Sequence, residues 1–370
     1  MRIAITGGSG FIGRNLRVRL GELGHRDVVC VDHDLSEADL SAALTGVELV
    51  YHLAGVNRPV SSDDFALGNV DFTQRLCLAL ARVAPRADII FSSSSQAALD
   101  NEYGASKRAA EDVLIAHGKA TGASVTLLRL TNVFGKWSRP NYNSAVATFC
   151  FNIARGLPIT ISNPDAQLNL LYIDDLIDHL IGQIDAQKRI NGITDCGPVY
   201  ATTVGEVAAI IQSFKECRAS LITARVGTGL TRALHSTYVA ALEPDDFVYD
   251  IPMHVDPRGV FSEMLKTPDC GQFSYFTAHP GVTRGEHYHH SKTEKFLVVK
   301  GSAEFRFRHI ETDQRHVIVT SGDKAQIVET VPGWTHNITN VGDEEMIVML
   351  WANEIFDRDR PDTIPMKVNP

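Results

Sequence analysis

At 370 residues the chain is long enough for two hydrophobic cores, and 44% hydrophobic with 21% charged residues describes an ordinary soluble protein rather than a disordered or bilayer-embedded one. A net charge of −9 with no offsetting basic block excludes general nucleic-acid binding, although an anionic small molecule needs only a local basic pocket. Six scattered cysteines without a CxxC pair, no room for a signal peptide before RIAITGG, and no apolar run of roughly 18 residues predict a cytoplasmic protein with reduced thiols and no membrane insertion.

Through about residue 215, short β-branched runs alternate with longer amphipathic segments. Residues 2–6, 28–32, 48–52, 88–92 and 125–130 read as strands, and residues 11–23, 71–84 and 106–121 have helical spacing. This alternation predicts a doubly wound parallel α/β sheet of the Rossmann type. Residues 160–172 and 204–214 read as a smaller strand-and-helix region appended to it. From about Phe247 the texture changes to short strands at close intervals, broken by Gly, Pro and Asp, as in an all-β sandwich or barrel. The division is expected within LEPDDFVYDIP, giving domains 1–245 and 246–370.

TGGSGFIG, following the first strand and opening the first helix, is a dinucleotide fingerprint. Gly7 permits the tight turn, Gly10 lets a pyrophosphate approach the backbone, and Gly13 allows close helix–strand packing. The helix start at Phe11 and Ile12 offers unpaired N–H groups to the phosphates. Asp32 ends the second strand, where an acid binds ribose hydroxyls and repels a 2′-phosphate. In isolation it favours NADH over NADPH, with a loop or capping aspartate as the alternative.

Further on, Tyr103 and Lys107 stand four apart on one helical face. An ammonium beside a phenol is expected to lower its pKa from about 10 and make it a usable proton donor. Ser92–Ser95 ends the fourth strand, where a hydroxyl can share the proton of a carbinol, and Asn69 begins the helix after the third strand's loop.

TGGSGFIG, HLAG (containing Leu53, Ala54 and Gly55), GNV, FSSSS, YGASK, RLTNVFG and YIDD together resemble the extended short-chain dehydrogenase/reductase family, whose members act on nucleotide sugars. The resemblance implies that Tyr103 gives its proton to a carbonyl oxygen and that Lys107 orients the nicotinamide ribose. Ser94 is then the hydroxyl partner, with Ser93 as alternative. Only nine positions from Ser94 to Tyr103, where many relatives have a longer loop, imply a remodelled substrate pocket. Arg58, Asn132, Lys136, Arg139 and Asn143, in loops after strands, form a candidate group for the anionic substrate.

The β-rich half carries the second chemistry. His287 and His289, two apart on a predicted strand, share a face, and Glu294 and His336 complete a ligand set for zinc or another divalent metal. His290 replaces His289 if a bulge intervenes. From Gly281 to Gly301 the spacing resembles the first cupin motif at every fixed position. The second motif, at Pro332–Asn340, lacks the residue between Pro332 and Gly333. DPRGVFSE and RGEHY also resemble the deoxysugar-nucleotide 3,5-epimerases, cupins in which the histidine matching His287 is a general base without a metal. Tyr288, Lys292 and Lys295 are the other candidates for that base.

Nearly end to end, through HLAGVNRP, KWSRPNYNSAVATFC, STYVAAL, EKFLVVKG, THNITN and WANEIFD, the chain resembles the CapF family of bifunctional UDP-sugar enzymes of capsular polysaccharide synthesis. The resemblance implies C3 epimerisation of UDP-2-acetamido-2,6-dideoxy-β-L-arabino-4-hexulose in the cupin. NADPH-dependent reduction at C4 to UDP-2-acetamido-2,6-dideoxy-β-L-talose follows, on the route to UDP-N-acetyl-L-fucosamine. It also implies a homodimer.

Overall fold

A computed structural model describes residues 1–370 apart from 58–64, 186, 188, 253, 257–258, 262–264, 266–270, 355–356 and 358. By contact the chain forms two compact units. Met1–Phe134 and Leu168–Ala201 make the first, and Gly135–Gln167 and Thr202–Pro370 the second. Helices Ala145–Ala154, Val204–Ser220 and Gly229–Val239 therefore group with the β-rich segment, whereas the expected division at 245/246 follows chain order.

The first unit contains strands β1 (Ile3–Thr6), β2 (Val28–Val31), β3 (Leu49–His52), β4 (Asp88–Ser94), β5 (Val125–Leu130), β6 (Asn132–Phe134), β7 (Gln167–Tyr172) and β8 (Gly192–Thr194), and β9 (Val199–Thr203) follows across its boundary. Six of them form a parallel sheet in the order β2-β1-β3-β4-β5-β8, while β6, β7 and β9 form a small sheet of their own. IAIT and LVYH are buried at every position because helices cover both faces of a parallel sheet. Ala4, Val31, Val50, Ile89 and Leu127 meet Leu40, Leu44, Leu76, Leu80 and Leu114 from those helices. The chain runs from β1 to β2 on one side and crosses back to β3 on the other, so the carboxyl ends of β1 and β3 flank the switch-point crevice where such sheets bind ligands.

The five predicted strands appear with ends shifted by at most two residues. The helix expected at 106 begins instead at Glu102. Asn101 caps it by accepting the Gly104 N–H at 2.8 Å, and Gly122 ends it at φ +79°. Its start was hidden because the first turn carries Tyr, Gly and Ala rather than an apolar stripe.

In the second unit, β10 (Val248–Asp250), β11 (His254–Asp256), β12 (Gly259–Phe261), β13 (Gln272–Ala278), β14 (Thr283–Tyr288), β15 (Glu294–Lys300), β16 (Ser302–His309), β17 (Arg315–Ser321), β18 (Gln326–Glu329), β19 (Trp334–Asn340), β20 (Met346–Ala352) and β21 (Ile364–Pro365) pair antiparallel. Two five-stranded sheets result, β10-β18-β15-β20-β13 and β17-β16-β19-β14-β21, with β11-β12 as a separate pair. Alternation along β16 buries Ala303, Phe305 and Phe307, and Phe305 meets Phe296 of the other sheet at 5.6 Å. This is a cupin jelly roll. Among the described residues no helix is long and apolar enough to cross a membrane.

Where Glu294 faces the sandwich interior, its neighbour Lys295 faces the helices and enters a buried ion cluster. Lys295 pairs with Glu329 and donates to the Tyr249 hydroxyl at 3.0 Å, while Arg218 reaches Glu329 at 2.6 Å. The two cations hold the Glu329 carboxyl down at about 2 against the upward push of burial. Glu329→Gln leaves two buried cations facing each other and should lower unfolding stability by about 3–5 kcal/mol. Trp137, Trp334 and Trp351 all lie in this unit, so a urea titration followed by tryptophan fluorescence reads it selectively. Because the Glu329 pKa is depressed, its contribution is present above the ordinary carboxylate range and lost as pH falls toward about 2. The gap between variant and parent should close over that window; a loss below about 1 kcal/mol at neutral pH would contradict the assignment.

Candidate active sites

The glycine-rich turn is built by close backbone approach. Gly7 sits at φ +67°, and a Cβ there would come 2.8 Å from the Ala54 nitrogen; one on Gly13 would lie 2.2 Å from the Gly7 carbonyl oxygen. Helix Phe11–Glu22 starts from Gly10 without a side-chain cap, which leaves the N–H groups of its first turn to an anion. The residues present therefore fit a dinucleotide's pyrophosphate.

A directional hydrogen-bond chain ties this turn to the loop after β3. Thr6 Oγ1 accepts the Leu53 and Ala54 N–H groups, each at 3.1 Å, so its own proton goes to His52 Nδ1 at 2.7 Å. The remaining imidazole proton, on Nε2, goes to Thr73 Oγ1 at 2.8 Å, which donates to the Asn69 carbonyl at 2.6 Å. Burial first, and Lys107 second, push His52 down to about 3, so the relay is neutral. Asn69 lies in a π-helical turn, Ala66–Asp71, just before the helix it was expected to begin. Its side chain clamps Val56 from both sides and donates to Ser106 at 3.0 Å. A Cβ on Gly55 would lie 2.9 Å from Asn69 Oδ1 and 3.0 Å from Lys107 Nζ.

Tyr103, Lys107 and Glu111 recur every four residues on helix Glu102–Thr121, and three successive residues of β4 meet them. The Ser94 hydroxyl hydrogen-bonds the Tyr103 phenol, the Ser92 carbonyl accepts Lys107 Nζ at 2.9 Å, and the Ser93 hydroxyl donates to Glu111. Strand register places Arg129 beside Ser93, and its guanidinium grips the same carboxylate at 2.7 and 3.0 Å. Between the two candidate serines, the geometry brings Ser94 to the phenol and turns Ser93 away. The expected lowering of the Tyr103 pKa is corrected here: burial outweighs the Ser94 hydrogen bond and raises it. The ammonium that was to lower it is bonded to Ser92 and is itself pushed down to about 8 by burial, with Glu111 opposing. Glu111 and Arg129 escaped notice in the sequence, although i+8 spacing from Tyr103 was a usable signal for the first.

Asp32 follows β2 and is exposed, on a loop that Arg75 anchors through the His33 and Leu35 carbonyls and Glu37. Of the candidate substrate group, Arg58 lies outside the described residues. Asn132, Arg139 and Asn143 are exposed, with the Arg139 guanidinium 5.0 Å over the Tyr142 ring. Lys136 is buried, its ammonium 5.6 Å from the Trp137 ring centre.

In the cupin, His287, His289, Glu294 and His336 each aim one ligand atom into a space where all four lie within 4.8 Å of one another. The expected regular strand does not deliver them. Glu286, at φ +61°, makes a bulge between Gly285 and His287, and His289 lies just past the end of β14. The Glu286 carboxylate fixes the bulge by accepting from Asn337 and the Val368 N–H, each at 2.7 Å. His290 stays outside the cluster, against Tyr288.

Lone pairs in the cluster call for a cation. His289 Nδ1 meets the Asp362 carbonyl at 2.6 Å and must donate to it, so neutral His289 presents a bare Nε2 to Glu294 Oε2 at 3.1 Å. His336 Nε2, buried and without a hydrogen-bond partner, lies 3.7 Å from the same oxygen. Burial, His336 and His289 together push His287 down to about 3, and the histidines hold Glu294 well below the usual carboxylate range against the effect of burial. A proton satisfies one pair of these atoms, whereas a divalent metal satisfies all four, so the donor set fits a metal.

His287, Glu294 and His336 line a cavity of about 170 Å³ together with Phe276, Phe296, Phe305, Ile338, Leu350 and Arg284. Of the candidate epimerisation bases, only His287 lines it. Lys295 is committed to Glu329, Lys292 donates to Thr363 at 2.6 Å and to the Pro361 carbonyl, and Tyr288 is fully buried beside His290.

Residues 3–193 match the NAD dependent epimerase/dehydratase family and residues 254–364 the polysaccharide biosynthesis C-terminal domain. The chain is 54% identical over 369 residues to the UDP-2-acetamido-2,6-beta-L-arabino-hexul-4-ose reductase of Pseudomonas aeruginosa, covering 100% of this chain and 99% of that one. Among solved structures it is similar to the capsular polysaccharide assembling protein CapF of Staphylococcus aureus, with 39% identity, TM-score 0.68 and 100% of both chains covered. A plant relative, UDP-glucuronate 4-epimerase 1 of Arabidopsis thaliana, is 28% identical over 48% of this chain and 47% of its own. With the fingerprint turn, the Tyr103–Lys107 helix and the cupin cluster joined in one polypeptide, the chain belongs to the NAD dependent epimerase/dehydratase family and, within it, to the CapF type.

Proposed function

We propose that the chain is a two-site enzyme that epimerises C3 of UDP-2-acetamido-2,6-dideoxy-β-L-arabino-4-hexulose in its cupin and then reduces C4 to give UDP-2-acetamido-2,6-dideoxy-β-L-talose, on the route to UDP-N-acetyl-L-fucosamine. The observation that carries the proposal is the pairing of a half-buried Tyr103 and buried Lys107 and Ser94 with a His/Glu cluster on the lining of a cavity. A relative named for the 4-keto-sugar reductase, matching the whole chain, supports the substrate class. One ketone links the two steps: it acidifies the neighbouring C3–H, and its reduction traps the epimer.

Bound at these sites, a reduced nicotinamide supplies the hydride, and zinc or another divalent metal supplies Lewis acidity. His287, His289, Glu294 and His336 would hold the metal. Tyr103 gives its proton to O4 as the C4–H bond forms, Ser94 shares that proton, and Lys107 keeps positive charge beside the nicotinamide ribose. In the cupin, removal of the C3 proton and its return on the opposite face invert the centre. Catalytic division near 245/246 belongs to the same reading. So do a homodimer, from the resemblance, and a cytoplasmic location, to which the free described cysteines are suited.

The test is NMR of the 4-keto sugar in D₂O with and without reduced cofactor. Deuterium should enter C3 without cofactor, and reduction at C4 should follow when it is added. Protein that catalyses no exchange even when supplied with a divalent metal would remove the epimerase half and leave a ketoreductase. NADPH is expected to be the better cofactor, from the resemblance, while the exposed carboxylate of Asp32 favours NADH. Turnover with each decides: tenfold or better use of NADH would reverse the order.

A further inference from the structure

Residues 362–368 grip the histidine strand over its C-terminal half. β21 pairs with β14, setting Pro365 opposite His287 and Ile364 opposite Tyr288. The Met366 N–H donates to the Glu286 carbonyl at 2.8 Å, and Thr335 donates to the Met366 carbonyl at 2.5 Å. Asp362 sits at the start of this strap, at φ +34°. Its carboxylate accepts the N–H groups of His290, Ser291 and Lys292 at 2.9, 2.8 and 2.7 Å and the Ser291 hydroxyl at 3.2 Å. Three consecutive donors converging on one carboxylate fix both the 290–292 turn and Asp362 itself. The Asp362 carbonyl is thereby held against His289 Nδ1.

We propose that this C-terminal strap is part of the metal site, with Asp362 the positioning residue that fixes the tautomer and direction of His289. The inference rests on the metal reading above. A carbonyl that accepts from Nδ1 forces the lone pair onto Nε2, the atom facing Glu294, and raises its basicity. The carboxylate acts one step further out. Without it the three N–H groups lose their common acceptor, the left-handed backbone at Asp362 is no longer held, and the carbonyl drifts from His289. The sequence hides this arrangement because 73 residues separate the two partners and Asp362 lies in no recognisable motif.

Zinc titrated into the full-length, metal-free protein in competition with a chromophoric chelator tests it without reference to turnover. The parent should bind one equivalent. Asp362→Ala should bind about 10–100-fold more weakly, as loss of an outer partner of a ligating histidine does elsewhere. Asp362→Asn, which keeps an acceptor oxygen, should recover part of that loss. Arg308→Ala loosens the same strap farther along, where the guanidinium holds the Lys367 and Val368 carbonyls, and should leave zinc affinity unchanged. A parent that binds no zinc overturns the metal reading itself. If the parent binds and Asp362→Ala matches it within twofold, or Arg308→Ala weakens binding as much, the positioning role fails while the metal reading stands. Should Asp362→Ala fail to fold, Asp362→Asn decides: affinity below the parent's supports the positioning role, and affinity equal to the parent's overturns it.

Discussion

Replacing Tyr103 with phenylalanine is expected to lower reduction of the 4-keto sugar about 10²–10⁴-fold, the range that general acid catalysis supplies, while C3 deuterium exchange stays within about twofold. The reason lies in which group near the crevice holds a transferable proton at neutral pH. Burial raises the phenol's pKa, so it is fully protonated and a donor rather than a phenolate. Ser94 can pass a proton but is far too weak an acid to replace it. Lys107 is pushed down to about 8, but its ammonium is directed at the Ser92 carbonyl. The substitution removes one hydroxyl and keeps the ring, whose partner Phe65 lies 5.7 Å away, so the helix should not shift.

A pH prediction accompanies it. Lys107 carries positive charge only below about 8, so reduction by the parent should fall as pH rises through that value. The phenol, raised, adds no limb on the acid side. Cofactor oxidation followed by absorbance, with exchange read by NMR on the same samples, measures both. A variant that keeps more than a tenth of the parent's reduction rate would remove Tyr103 as the donor. One that loses exchange as well, while folded, would break the two-site division.

Sequence periodicity made the parallel sheet and the glycine turn legible because both depend on local rules. Buried strands read as apolar runs, and a backbone that must touch a pyrophosphate tolerates only glycine. The YxxxK pair was legible for the same reason, since helical spacing alone sets Tyr103 beside Lys107. What lay outside local rules was missed. Glu111 belongs to the reductase constellation because β4 and β5 bring Ser93 and Arg129 to it, a register no single segment reveals. Burial of Tyr103 reversed the sign of its shift because desolvation depends on the finished fold. In the cupin the cluster was anticipated on a regular strand, with a bulge foreseen only as the way for His290 to replace His289. The structure reaches the same convergence through a bulge at Glu286 and the end of β14 before His289, with a C-terminal strap holding both. Lys295 was a candidate base by sequence proximity, but alternation along β15 sends it to the opposite face, into the ion cluster with Glu329 and Arg218.

His336→Ala should abolish C3 exchange, a loss of at least about 10²–10³-fold if the cluster supplies the charge stabilisation that removal of the proton requires. His336 is the most revealing position in the cluster. Its Nε2 is buried, 3.7 Å from Glu294 and short of a hydrogen bond, and its Nδ1 is 3.4 Å from the Trp334 carbonyl, so the ring is held in place without a hydrogen bond at its working end. A buried imidazole nitrogen left unsatisfied costs free energy, and a fold keeps such an atom where a ligand is to meet it. Alanine removes that donor and leaves Glu294 with His289 as its nearest partner, at 3.1 Å. His336→Gln keeps volume and a polar end against Phe307, whose ring centre is 6.2 Å from that of the histidine, and guards against a result caused by collapse of the cavity. Both variants should lose exchange and bind zinc more weakly, while cofactor binding at the glycine turn stays at the parent's level. Exchange within threefold of the parent in either folded variant would show that proton removal at C3 does not depend on this cluster, and the cupin would then be a module that holds the sugar without turning it over.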